Sequence, residues 1–284
     1  MNLFTPNLQF TLNASGTAGL ANPGAFLQTF ADGDSLQTNV TFAPGTAGLR
    51  LNHSSFVFVV RPTANFEYQP FFTLYTGATA STQCIGKTQD NGSTNHRYGI
   101  FEGDKDPYYG HNVAPSSGSG GNAAYGDWLM IAGGFGASPQ TYGQWAISKI
   151  NGEDPSGNKG GTNSSTTIDT TVEGSDIYLG WQTASFSGNN IFELAMARVY
   201  NSSTASLTDE QSVQIWDHWA SNNQAYFENN SQTSESYNED VEDYTTDLLA
   251  EWDFAKMPTG VLQTTAGSVG TVIGSLTGGA VVTV

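Results

Sequence analysis

The chain has 284 residues, 38% hydrophobic, 12% aromatic and only 12% charged, with 26 acidic against nine basic side chains and a net charge of −17. So acidic a surface repels phosphate backbones, which excludes nucleic acid as a partner. No run approaches the ~18 apolar residues of a spanning helix, so no membrane insertion is expected.

Aromatic side chains are too frequent for a disordered chain. Gly, Ser, Thr and Asn take the place of the missing charges, which suits short strands joined by polar turns. A lone cysteine, Cys84, closes no internal disulfide and reads as a small core residue. The opening MNLFTPNLQFTLNASG lacks a basic stretch and a long apolar run, so no secretory leader is expected. Seven Asn-x-Ser/Thr sequons, Asn13, Asn39 and Asn201 among them, then follow from composition rather than from secretion.

In chain order, Leu8-Gln9-Phe10-Thr11-Leu12 alternates as a strand does, and Val40-Thr41-Phe42 follows. Next come Ser55 to Val60 before Arg61-Pro62, Phe71 to Tyr75 before Gly77, and Tyr98 to Phe101 before Glu102-Gly103-Asp104. Trp128 to Ala132 runs into Gly133-Gly134, and Trp145 to Ile150 runs into Asn151-Gly152, a hairpin signal. Ile177 to Trp181 and Ile191 to Tyr200 complete the main set. Ala114 to Gly126 and Asn151 to Ser165 have the composition of solvated loops.

One helix is predicted, from Thr208 to about Asn222. Thr208 is a good N-cap, Gln211 stands three residues on as a capping box requires, and Asp209 and Glu210 complement the helix dipole. Val213, Trp216 and Trp219 or Ala220 give it an apolar face.

Twelve acidic residues then fall between Asp209 and Asp253, with no Lys or Arg between Arg198 and Lys256. This stretch reads as a solvated spacer. The remainder, Met257 to Val284, has no charged side chain and reads as late strands at Val269 to Ile273 and Ala280 to Val284. Left free, it would expose Val and Ile, so it is expected to pair with other strands, in its own sandwich or a neighbour's. The expected division is a β-sandwich over residues 1–222, an acidic connecting segment over 223–256 and an uncharged β-rich segment over 257–284.

The stretch Phe192 to Ile215, FELAMARVYNSSTASLTDEQSVQI, is a late strand ending in an aromatic, a polar turn, a leucine and an acidic capped helix. It resembles the closing signature of concanavalin A-like, laminin-G-like jelly rolls. SFVFVVRP, Ser55 to Pro62, resembles their early core strand, and Ile177 to Trp181 followed by Phe192 their penultimate hairpin. Leu248 to Phe254 resembles the opening strand of such a domain, displaced to the C-terminal side. The resemblance implies an all-β fold, a two-sheet antiparallel jelly-roll sandwich, here with one α-helix in the C-terminal half. Such folds host lectins, glycosidases, adhesion modules and virion proteins, so fold alone does not fix function.

Retaining glycosidases need two carboxylates on one face of a strand, and no strand-spaced Glu-x-Asp-x-Glu is present. Glu102 to Asp106 sits in a turn, and Glu239 to Asp243 is not strand-like. Asp104 and Asp106 offer hard oxygen ligands for Ca2+, against a solvated turn neutralised by Lys105. Tyr108, Tyr109 and His111 in one loop, with Trp128 beside another, are the candidate glycan-binding residues. The expectation is a non-enzymatic virion structural protein, a decoration, fibre or spike subunit at the particle surface that contacts itself or other virion proteins. The alternative is a lectin-like module for surface glycans, with glycoside hydrolase a distant third.

Overall fold

The computed structural model describes residues 24–29, 34–41, 54–62, 69–75, 83–90, 96–102, 128–135, 143–149, 159–160, 176–180, 192–202, 207–223, 226 and 241–283. Its strands are β1 Ala25–Gln28, β2 Ser35–Thr41, β3 Ser54–Pro62, β4 Gln69–Tyr75, β5 Gln83–Asp90, β6 His96–Glu102 and β7 Leu129–Phe135. After them come β8 Gly143–Lys149, β9 Lys159–Gly160, β10 Asp176–Gly180, β11 Phe192–Asn201, helix α1 Asp209–Asn222, β12 Leu248–Asp253, β13 Ser275–Thr277 and β14 Ala280–Thr283. The expected strand at Leu8 to Leu12 lies outside the described residues.

Two antiparallel sheets form, as expected for a sandwich. The eight-stranded sheet runs β14-β1-β11-β3-β7-β8-β9, with β12 also paired to β11, and the six-stranded sheet runs β13-β2-β10-β4-β5-β6. β9 lies within a stretch read as loop, where Lys159 and Gly160 pair with Ala146 and Trp145.

The uninterrupted apolar run of β3 has a structural cause. Phe56, Phe58 and Val60 point between the sheets, towards Phe71, Phe72, Ile177 and Leu179. Val57 and Val59 point the other way, into a second core with Ile215, Trp216, Trp219 and Ala220 of α1. The eight-stranded sheet is covered on both faces, so both residue phases of its central strand must be apolar. The described residues form three layers: six-stranded sheet, eight-stranded sheet and helix.

The helix bounds follow from its cap. The Thr208 hydroxyl accepts from Gln211 N at 3.2 Å, and the Gln211 side chain accepts from Thr208 N at 2.8 Å. Acidic residues alone would leave this amphipathic segment soluble and unattached; Trp216 and Trp219 fix it to the sheet. Burying side chains of that size contributes roughly 1.5–3 kcal/mol each.

β11 changes partner part-way along. Glu193 and Leu194 pair with β1, whereas Met196 to Tyr200 pair with β12. A register shift between Leu194 and Met196 marks the changeover. It also switches which residues face the inter-sheet core, from Phe192 and Leu194 to Ala197 and Val199. Such a bulge lets one long strand serve two short neighbours in tandem.

The uncharged C-terminal stretch pairs within its own chain. β13 adds to β2 and β14 adds to β1, closing one flank of both sheets. Two residues, Gly278 and Gly279, carry the chain from one sheet to the other. Both have positive φ, 63° and 65°. A Cβ on Gly278 would lie 1.8 Å from Asp34 Oδ1, and one on Gly279 2.6 Å from the Gln28 carbonyl oxygen. Only glycine meets both demands. Met257, Leu262, Val269, Val272 and Leu276 pack against the inter-sheet core from this flank. The expected strand at Val269 to Ile273 is instead irregular, with a single bridge between Ile273 and Gln263.

Candidate functional site

Two groups of polar side chains stand out among the described residues. The larger centres on Arg198, which is 1% exposed on the helix side of the eight-stranded sheet. Arg198 Nε donates to Glu251 Oε2 at 2.6 Å, while Nη1 and Nη2 each donate to an Asp243 oxygen at 2.7 Å. Nη1 also donates to the Tyr200 hydroxyl at 3.1 Å, and that hydroxyl donates to the Tyr244 carbonyl at 2.9 Å. Lys256 Nζ reaches Glu251 Oε1 at 3.4 Å and Asp253 Oδ2 at 3.1 Å, and Thr265 Oγ1 donates to Glu251 Oε1 at 2.8 Å.

Burial and ion pairing oppose each other in this group. Burial alone would push Glu251 up, but the Arg198 guanidinium and the Lys256 ammonium hold it below the ordinary carboxylate value. Burial dominates at Asp253, which is raised despite Lys256. Burial would lower Arg198 and Lys256, yet their carboxylate partners hold both above their ordinary values. All these groups are committed to one another, so the cluster fastens strands rather than opening to a substrate.

This cluster corrects the spacer expectation for the described part of the acidic stretch. Glu251 and Asp253 are 1% and 0% exposed. Asp243 clamps Arg198, Val241 O bonds His218 Nδ1 at 2.9 Å and Glu242 O accepts from Gln214 Nε2 at 2.8 Å. Residues 241–245 are strapped across α1, and β12 is a strand of the main sheet. His218 sits at the helix surface, with 30% of its side chain exposed, and holds this strap through Val241 O.

The second group lies at one end of the sandwich. Arg61 Nε donates to Glu193 Oε2 in a short contact, and Gln28 Nε2 donates to Glu193 Oε1 at 3.3 Å. The Arg61 guanidinium sits 5.0 Å from the Trp128 ring centroid and 5.7 Å from that of Phe26. Trp128 makes edge contacts with Phe26 at 5.7 Å and Tyr226 at 5.1 Å. Cation–π placement of this kind holds the guanidinium over the ring while its edge faces solvent. Arg61 keeps 20% of its side chain exposed.

Trp128 is 0% exposed. It is therefore no sugar platform, and the expectation that it binds ligand directly is corrected. Trp128 stands just before β7 and packs between sheet and helix, so it serves as an anchor. Tyr108, Tyr109, His111, Asp104 and Asp106 lie outside the described residues.

The described residues that bracket them are nonetheless informative. Glu102 ends β6 opposite Gln83, at the end of the six-stranded sheet where Tyr75 faces Asp176. The other end of that sheet carries Ser35, opposite Thr277. The Gly278-Gly279 corner joins this end to Ala280, opposite Gln28, and hence to Glu193, Arg61 and the Val60–Leu129 pair. Glu102 and Trp128 thus stand at opposite ends of the sandwich and in different sheets.

Two sequons fall among the described residues. Asn39 Nδ2 donates to Ile273 O at 2.7 Å, and Asn201 Nδ2 donates to Ser54 Oγ at 3.0 Å. Both amides are engaged in the fold, in keeping with a compositional origin. Among the described residues no three metal-ligating side chains come together.

Sequence reasoning missed Arg198, Glu251, Arg61 and Glu193. The available signal was the presence of charged residues inside otherwise apolar strands, since such residues are rarely buried unless paired.

No family model matches the chain, and no curated protein matches it. Among solved structures it is similar to a proposed carbohydrate-binding protein from Bacteroides ovatus, with 12% identity and a TM-score of 0.49. The match covers 93% of this chain and 60% of that one, so the chain spans less than two thirds of that protein's length.

Proposed function

We propose that the chain is a non-catalytic glycan-recognition module, with the stretch carrying Tyr108, Tyr109 and His111 as its binding element. The observation that supports this reading is the two-sheet sandwich, which holds both ends of that stretch in place, Glu102 at the end of β6 and Trp128 just before β7. At the second of these ends Arg61 lies over the buried Trp128 ring and pairs with Glu193, to which Gln28 also donates. Carbohydrate sites combine aromatic faces with a few fixed polar groups, and a rigid sandwich supplies the positioning. Asp104 and Asp106, at the start of the stretch, are the residues proposed to hold Ca2+.

The non-enzymatic part rests on the buried carboxylates among the described residues. Glu193, Glu251 and Asp253 each have a cationic partner, Arg61, Arg198 or Lys256. Hydrolysis needs one carboxyl free to exchange its proton with the glycosidic oxygen. A glycan array followed by calorimetry tests the reading. Wild type should bind at least one glycan, and Tyr108→Ala with Tyr109→Ala should lose it at unchanged Tm. No glycan bound, or reducing sugar released from laminarin, agar or carrageenan, would overturn it.

A second reading, a surface subunit of a virion, draws on the charge-free outer edge of β14. It predicts that the chain copurifies with a large symmetric particle, with copies in contact along that edge.

A further inference from the structure

We infer that the outer edge of the Arg198 guanidinium is a carboxylate-binding site which Asp243 fills from within the chain, on a strap that lifts without unfolding the sheets. Nη1 and Nη2 donate to the two Asp243 oxygens, each at 2.7 Å. This planar two-bond pairing is the form in which arginine recognises a carboxylate. The guanidinium is oriented from beneath the strap: Nε is held by Glu251 Oε2 at 2.6 Å, and Nη1 by the Tyr200 hydroxyl at 3.1 Å. Glu251 has a second cation in Lys256, so the outer edge of Arg198 carries charge that Glu251 alone does not match.

Asp243 itself sits on a less secure element. Within residues 241–245, Glu242 and Thr245 are exposed, and Val241, Asp243 and Tyr244 are half-buried. Polar side chains of α1 hold them: His218 and Gln214 through the carbonyls of Val241 and Glu242, and Gln211 through the Tyr244 hydroxyl at 2.8 Å. Asp247, exposed and with a positive φ of 61°, is where the chain turns into β12. From Leu248 to Phe254 every residue is buried. Segments held by exposed hydrogen bonds open at lower free energy than core strands.

The strap therefore lifts about Asp247 while β12 stays beside β11. In the closed chain every group of the cluster is committed. With the strap up, Glu251 still holds Nε and the outer edge of Arg198 is bare. A buried cation that loses one partner is costly, so the guanidinium takes a carboxylate from solution in place of Asp243. The ligand class is a small carboxylate. The side chain of Asp243 is 20% exposed, so its place is reached from solvent, with His218 Nε2 at the rim, 3.9 Å from Asp243 Oδ2.

Phenylglyoxal, which modifies accessible guanidinium groups, reads the lifted strap on the full chain, with formate as the carboxylate probe and chloride at equal ionic strength as its control. In wild type the open fraction read from Arg198 modification should be about tenfold or more above that read from amide hydrogen exchange in β3. Asp243→Ala should raise Arg198 modification by about tenfold or more, and formate should reverse most of that rise. Formate should also raise the Tm of Asp243→Ala by more than it raises that of wild type. Should Asp243→Ala fail to fold, Asp243→Asn takes its place in both measurements. Arg198 modified in wild type no more often than β3 opens would overturn the inference, because the strap would then move only with the whole fold. Equal effects of formate on the variant and on wild type would overturn it too, because no carboxylate site would be left behind.

Discussion

Arg198 and Glu251 stand directly opposite each other across β11 and β12, and their side chains meet on the sheet face that α1 covers. Each is 1% exposed. Fifty-three residues separate them in the chain, yet they fix the register between the late strand and the one after the helix. A one-residue slip would turn Glu251 into the inter-sheet core and Trp252 out of it. We expect Arg198→Met to leave Glu251 buried beside Lys256 alone and to cost about 3–5 kcal/mol, as single-partner removal from buried pairs does. The double replacement Arg198→Met with Glu251→Met should recover much of that loss. Urea denaturation of the three proteins measures both.

The same pair makes stability depend on acid. Glu251 is held below its ordinary 4.5 in the folded chain. Its contribution is therefore complete above that value and is lost as pH falls through the lower, folded one. Asp253 is raised, so it binds its proton more readily when folded and returns stability as pH falls. Glu251→Gln should flatten the acid limb of a Tm-against-pH curve. Asp253→Asn should steepen it, because the offsetting group is gone. Identical acid limbs in all three proteins would refute the assignment.

Tyr226 fastens the first described strand. Its hydroxyl donates to Ala25 O in a short contact and accepts from Ala25 N at 3.0 Å. Its ring lies against Gly24, where a Cβ would come within 2.5 Å. Tyr226→Phe leaves two backbone groups of β1 without this partner and should cost about 1–3 kcal/mol. Gly24→Ala should destabilise by forcing the ring out. Thermal melts with exchange at Ala25 would separate these effects from a global loss.

The glycine corner carries both sheet edges. Gly279→Ala combines a disfavoured backbone conformation, about 1–2 kcal/mol, with a clash against the Gln28 carbonyl. We expect a lower Tm and faster exchange in β13 and β14. Truncation after Lys256 should do more, since it strips Leu262, Val269, Val272 and Leu276 from the core flank. Loss of β-sheet circular dichroism in that truncated monomer would show that the segment belongs to its own sandwich. A truncated chain that melts like the full one would refute this.

What the sequence determined by itself was local. The run Ser55 to Val60 specified a strand, and the pairing of Thr208 with Gln211 specified where the helix begins. Periodicity and capping act over a few residues, so they are legible without the rest of the chain. Even so, the apolar run of β3 did not reveal that a helix covers its far face. The tertiary structure alone decided that Glu251 and Asp253, in a stretch with no basic residue before Lys256, are buried rather than solvated. Lys256 is a neighbour along the chain, but Arg198 becomes one only when β12 takes the place beside β11 that the short β1 leaves empty. It likewise decided that Trp128, read as a strand-end aromatic beside a loop and able to meet a sugar, is an interior anchor. An aromatic beside turn residues has the same local pattern whether it faces solvent or core, and only the packing of Phe26, Arg61 and Tyr226 around it settles which. Chain order, finally, does not reveal that Gly278 and Gly279 join two sheets. A glycine pair permits a turn, but the partners waiting on either side of it set where that turn leads.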